Sequence, residues 1–223
     1  MLMVGVGLGV LLIRTDHPRS NRPIAAPSVD YVCTLTDSAE VIVSRLAPRQ
    51  VANGKAVVAE GLRTHVEVPG ILAALAVSWH RTELRNMANP AVPVSLALPH
   101  DEVTRMPHVM GILGQSPTDG SVQMRMTPAR AARKFFNDIR FSSEGTPLTA
   151  SQLADRLTSP QRVSQTGQNF EERCTPGHSL PLAEAFYGRY VDEVANEMAS
   201  SQESGGEDVI ETSPPPRTSA QVR

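Results

Sequence analysis

The chain reads as a mainly α protein: one helical domain with a long loop region, flanked by disordered ends. Three observations predict this. Aromatic residues make up only 4% of the 223 residues, so the core must rely on Ala, Val, Leu and Ile, which favour close helix packing over an aromatic-rich sandwich. Apolar residues recur at helical spacing in several separate stretches. The hydrophobic fraction, 40%, is low for a wholly compact chain and leaves room for unpacked ends around a core of roughly 150 residues.

The first element is Met1 to Ile13, almost wholly apolar. A spanning helix needs about 20 apolar residues, so this run is short for one. It has the length of a secretory h-region, but no Lys or Arg precedes it and no clear small-x-small cleavage site follows. Arg14, Arg19 and Arg22 come next, which the positive-inside rule places in the cytoplasm. A mis-assigned start would remove the conflict. Residues 1–13 are therefore expected to export the protein or tether it to a membrane, giving an extracytoplasmic location; a disordered hydrophobic end is the alternative. Residues 14–45, with Pro18, Pro23 and Pro27, read as a linker. A brief β-like run, Val41-Ile42-Val43, sits inside it or begins the domain.

The texture changes at Pro48. Val51, Val58 and Leu62 recur at helical spacing, predicting a helix from Gln50 to His65. Gly54 weakens that helix by roughly 1 kcal/mol relative to alanine. Pro69-Gly70 starts the next one, where Ile71 to Val77 is apolar on all sides, as befits a helix buried in a globular core. Its continuation, Ser78-Trp79-His80-Arg81-Thr82-Glu83, turns abruptly polar. Such a helix starts in the core and delivers polar groups to a surface or cleft.

Residues 87–127 carry five prolines and three glycines, predicting loops and short strands. A loop region of that length inside a compact domain usually serves a function, such as forming a binding wall. Thr127-Pro128 then opens a helix, with Thr127 as N-cap and Pro128 in its first turn. Ala132, Phe135, Phe136 and Ile139 supply its buried face. Thr149 to Gln152 looks like a capping box ahead of a short helix. From Ser179, an amphipathic stripe of Leu182, Phe186, Tyr190, Val194 and Met198 marks a last helix. The domain is expected over 46–199, and residues 200–223, rich in Ser, Gly, Glu and Pro, as a disordered tail.

Composition excludes several functions. A net charge of −2 without a basic stripe argues against nucleic acid. No CxxC, HExxH, P-loop or GxGxxG pattern occurs, so no metal and no cofactor is expected. Cys33 and Cys174 could pair in an oxidising compartment or remain free thiols.

One stretch is distinctive: Leu84-Arg85-Asn86-Met87-Ala88-Asn89-Pro90, followed by Ser95-Leu96-Ala97-Leu98-Pro99-His100-Asp101. Together with Gln50 to Asn53, the Pro69-Gly70-Ile71 start, Met126 to Phe136 and Ala185 to Tyr190, it resembles the lysozyme-like, lytic-transglycosylase-type domain of actinobacterial peptidoglycan hydrolases. The likeness runs over about 46–199 and is thin between 140 and 178. It implies a helical bundle with a cleft for a peptidoglycan glycan strand. It also implies a glutamate at the end of a buried helix that protonates the glycosidic oxygen, which requires a carboxyl kept neutral by an apolar setting.

The chain departs from that pattern where the chemistry lies. Aligning on Leu84-Arg85-Asn86 puts Arg81 at the glutamate position, and arginine stays protonated at any physiological pH. Glu83 is the replacement to consider, but two residues along a regular helix is about 200° around its axis. Only an irregular helix end would bring it round. Asp101 and Glu102 are further carboxylates beside the same cleft; an inverting mechanism would need a pair at roughly 6.5–9.5 Å. Gly111-Ile112-Leu113-Gly114-Gln115 keeps the glycine and final glutamine of the cleft-floor motif but loses its ring and first amide. His108 stands where that motif is preceded by acidic residues. The expected substrate-binding residues are Asn86, Gln115 and Tyr187. Two functions follow: glycan-strand cleavage, or a catalytically inactive wall-binding or scaffold protein of an envelope or conjugation apparatus. A protein partner is left open.

Overall fold

The computed structural model describes residues 37–106, 109–142, 147–158 and 175–204. The expected anchor at 1–13, most of the 14–45 linker, Cys33, Cys174, His108 and the tail beyond 204 lie outside the described residues. The fold is mainly helical. Helix α1 spans Ala39–Ser44, α2 Pro48–Arg63, α3 Val68–Thr82, α4 Pro93–Leu96, α5 Val122–Arg125, α6 Pro128–Ser142, α7 Ala150–Thr158 and α8 Leu180–Ser204. Two-residue strands β1 (Met87–Ala88) and β2 (Glu102–Val103) pair in parallel, with Met87 opposite Glu102.

The centre is α3. Gly70, Ile71, the whole run from Ala73 to Trp79, and Thr82 are buried, and α2, α6, α7, α8 and the 3-10 turn Pro176–Ser179 pack around it. A helix apolar on all sides needs neighbours on all sides. Its two buried hydroxyls are satisfied: Ser78 Oγ donates to the Ala74 carbonyl (2.8 Å) and Thr82 Oγ1 to Ile112 O (2.6 Å). Among the described residues, no helix is long and apolar enough to cross a membrane.

Helix α2 starts where proline allows it, and the Gln50 side chain accepts the Ala47 N–H at 3.0 Å. Gly54 has a packing reason: a Cβ there would lie 2.3 Å from Phe186 Cζ. On another face, the buried carboxylate of Glu60 bridges Arg63 (2.6 Å) and Arg133 of α6 (2.5 Å). Burial pushes this carboxyl up, but the two guanidinium partners outweigh burial and hold it below the usual carboxylate range.

The predicted start of α6 is at Pro128, and Thr127 O accepts from Ala131 N (2.9 Å). The Thr127 hydroxyl does not cap, however; it donates back to Gln123 O (2.7 Å). The Thr149–Gln152 box forms as expected, with Thr149 N–H on Gln152 Oε1 (2.9 Å) and Gln152 N–H on Thr149 Oγ1 (3.3 Å). In α8, Leu182, Phe186 and Val194 are buried, while Tyr190 and Met198 pack against the core from its edge.

Two boundaries differ from the sequence reading. Val41-Ile42-Val43 is helical, not extended, because Ser38 caps Val41 N–H and buried Val43 docks α1 on α8. The packed body therefore begins before residue 46. At the other end α8 continues past 199 to Ser204.

Candidate functional site

The polar end of α3 meets the loop region, where Thr82 and Arg81 bond carbonyls of Ile112, Leu113 and Gly114 and where Ser78 and Thr82 are buried. The helix stops at Thr82, and Glu83 (φ 52°) and Leu84 (φ 61°) both enter the left-handed region. Each such residue costs on the order of 1–3 kcal/mol. The surroundings hold them there. Gln50 Nε2 donates to Glu83 O at 2.7 Å, Asn53 Nδ2 donates to Leu84 O at 2.8 Å, and the Leu84 side chain is fully buried.

This irregular end separates Arg81 from Glu83. The Arg81 guanidinium turns toward the Gly111–Gln115 turn and donates to Gly114 O (2.9 Å) and Leu113 O (3.4 Å). The turn is closed by paired backbone bonds between Met110 and Gln115, and Met87 O accepts from Gly111 N. Gly114 has a φ of +56°, and a Cβ on it would come within 3.0 Å of Arg81 Cδ. Glu83 goes elsewhere. Its carboxylate takes Arg85 Nη1 at 2.6 Å, and Arg85 Nε lies 3.5 Å from Glu102. The helix end is irregular, and the Glu83 carboxylate is held by Arg85 while Arg81 bonds the Leu113 and Gly114 carbonyls.

Asp101 is likewise engaged. Its Oδ2 accepts from Asn53 Nδ2 (2.7 Å) and from the Asn86 backbone N–H (2.8 Å), and Oδ1 lies 3.6 Å from Arg49. The carboxylate thereby clamps α2, the chain leaving α3, and the loop ahead of β2. Glu83, Asp101 and Glu102 thus each serve a neighbouring cation or amide.

Asn86 and Gln115 are buried, at 4% and 7% exposure. Asn86 Nδ2 donates to Pro99 O and Met126 O (2.8 Å each), and Gln115 Nε2 to Ala131 O (3.3 Å). Their side-chain oxygens, buried, have no partner. Both amides fasten the loop region to the α5–α6 segment. Tyr187, on α8, is half-buried against the main core. Arg81 and Gln115 meet at one turn, Asn86 is held between Pro99 and Met126, and Tyr187 lies on a separate helix.

Sequence reasoning missed the clamps Gln50 and Asn53. The available signal was two amides three residues apart, hence on one face of α2. It also missed His80, whose buried Nδ1 has no partner. Burial first, then the Arg81 charge, push its imidazole down to about 4 against the opposing pull of Asp155. Among the described residues no three His, Cys, Asp or Glu side chains form a metal-binding group. No family model matches the chain, and no curated protein matches it.

Proposed function

We propose that this chain is a lysozyme-like domain that holds a peptidoglycan glycan strand without cleaving it. The resemblance supports the ligand class; Arg81 carries the loss of hydrolysis. Cleavage requires a neutral carboxyl that donates a proton to the glycosidic oxygen. At the corresponding place stands a guanidinium bonded to Leu113 and Gly114 carbonyls, a cation that gives up no proton near neutral pH. The three carboxylates that could stand in are tied to Arg85, Asn53, Asn86 and Arg49. The protein then serves as a wall-binding or scaffold module.

Purified cell walls test this directly. The full chain should co-sediment with them and leave turbidity unchanged. Arg81→Glu should begin to clear them, because a carboxyl facing two carbonyl oxygens favours its protonated, donating form. Clearing by the wild type that is abolished by Glu83→Gln would sink the proposal in favour of a relocated acid. Absence of co-sedimentation would remove the ligand class.

A further inference from the structure

Helices α2 and α8 meet where Gly54 abuts the Phe186 ring and Lys55 bonds Glu193 (2.6 Å) and Glu197 (2.9 Å). From there both run on toward their C-terminal ends, with a groove between them. Its floor is apolar, formed by Ala56, Ala59, Val194 and Met198, and its outer end is flanked by Arg63 and Gln202. That outer end is positively charged. Arg63 and Arg133, with side chains 51% and 52% exposed, share the single buried carboxylate of Glu60. Exposed Arg140 donates to Thr64 O beside them. Three guanidiniums thus gather about one carboxylate at the end of α2, while Lys134 and Asp138 on α6 pair with each other.

We propose that this groove is covered by the chain's own segment Glu207-Asp208-Val209-Ile210-Glu211. The wall of the groove leads straight to it: Ser201 and Gln202 line the groove, α8 ends at Ser204, and Gly205-Gly206 follow. Glycine is the residue that most readily reverses a chain past a helix C-terminus. A reversal there sends the next residues back along the groove. Glu207 and Asp208 then meet the arginines, and Val209 and Ile210 meet the apolar floor. The segment presents acidic and then apolar side chains in the order in which the groove presents cations and then apolar surface. The reach suffices: α2 from Arg63 back to Ala52 is about 16 Å long, and the eight residues from Ser204 to Thr212 span up to about 26 Å. A segment too polar to fold alone gains apolar burial and ion pairs on docking, and these offset the cost of ordering it.

The test uses the full chain carrying Cys33→Ser and Cys174→Ser with one new pair, Ala52→Cys and Thr212→Cys. Ala52 is exposed at the inner end of the groove, and the pair leaves residues 207–211 unchanged. Disulfide formation in a glutathione buffer is followed by non-reducing electrophoresis and mass spectrometry. The expected result is an intramolecular disulfide whose rate is independent of protein concentration. Val209→Asp with Ile210→Asp should slow it about tenfold, and so should Glu207→Lys with Asp208→Lys, since both undock the segment without altering its length. A rate that either double variant leaves unchanged overturns the docking, because a tail that merely sweeps past Ala52 is indifferent to those side chains. A disulfide-linked dimer that grows with protein concentration assigns the groove to a second copy and overturns it too.

Discussion

His80 and Arg81 are adjacent on α3 but meet opposite circumstances. Arg81 reaches two carbonyl oxygens, whereas His80 Nδ1 is buried without a partner. An imidazole so placed resists protonation. Its pKa falls from 6.5 to about 4, through burial first and the neighbouring guanidinium second. The unfolded chain therefore takes up a proton near pH 6.5 that the folded protein refuses until about pH 4. Stability from this group is complete above 6.5, declines between 6.5 and 4, and is constant below. The full loss is at most about 3 kcal/mol. His80→Gln cannot titrate, so the urea midpoint of wild type minus that of the variant should decrease with falling pH across this window. A difference independent of pH would show that the imidazole is as easily protonated folded as unfolded.

At the scale of elements, local rules sufficed for most helices. The Thr127-Pro128 pair and the Thr149–Gln152 box mark two starts that the structure reproduces, and the helix expected over 50–65 runs two residues earlier, Pro48–Arg63. Val41 to Val43 was misread for a physical reason. Three β-branched residues favour a strand only where a partner strand exists, and here the neighbour is α8, against which Val43 is buried. The purpose of Gly54 was equally invisible, since its explanation, Phe186, lies 132 residues further on. Gly54→Ala improves helix propensity by about 1 kcal/mol but drives a methyl into a packed ring, and overpacking costs about 1–3 kcal/mol. The variant should thus be less stable, by up to roughly 2 kcal/mol, when measured by urea denaturation. Adding Phe186→Leu should cost less in the Gly54→Ala background than in wild type. Equal costs in both backgrounds would mean that the ring does not meet the new methyl.

On the scale of the whole molecule, two regions of different character share one chain. Around α3, buried aliphatic and aromatic side chains from α2, α6, α7 and α8 form the main core. The loop region has a second, small cluster of Ala88, Met110 and Met126 and is held mostly by amide and carboxylate clamps from Asn53, Asn86, Asn89 and Asp101. Periodicity exposed the first region in the sequence, because burial on every face leaves an unbroken apolar run. The second was legible only as proline-rich, since a clamp such as Asp101 to Asn53 joins residues 48 apart and leaves no local pattern. The same contrast sets local stability. Amides in the centre of α3, from Leu75 to Trp79, have no solvent-facing side and should exchange hydrogen only through global unfolding. Loop amides that bond across short ladders, such as Thr104 on Ala88 and Gly111 on Met87, should exchange through local opening at a lower free energy. Asp101→Asn keeps the side-chain volume but weakens the acceptor shared by Asn53 and the Asn86 N–H, so it should speed exchange at Asn86, Thr104 and Gly111. Exchange at Leu75 to Trp79 should change only as much as global stability does. Uniform acceleration of both groups would show that the loops and the α3 core open as a single cooperative unit.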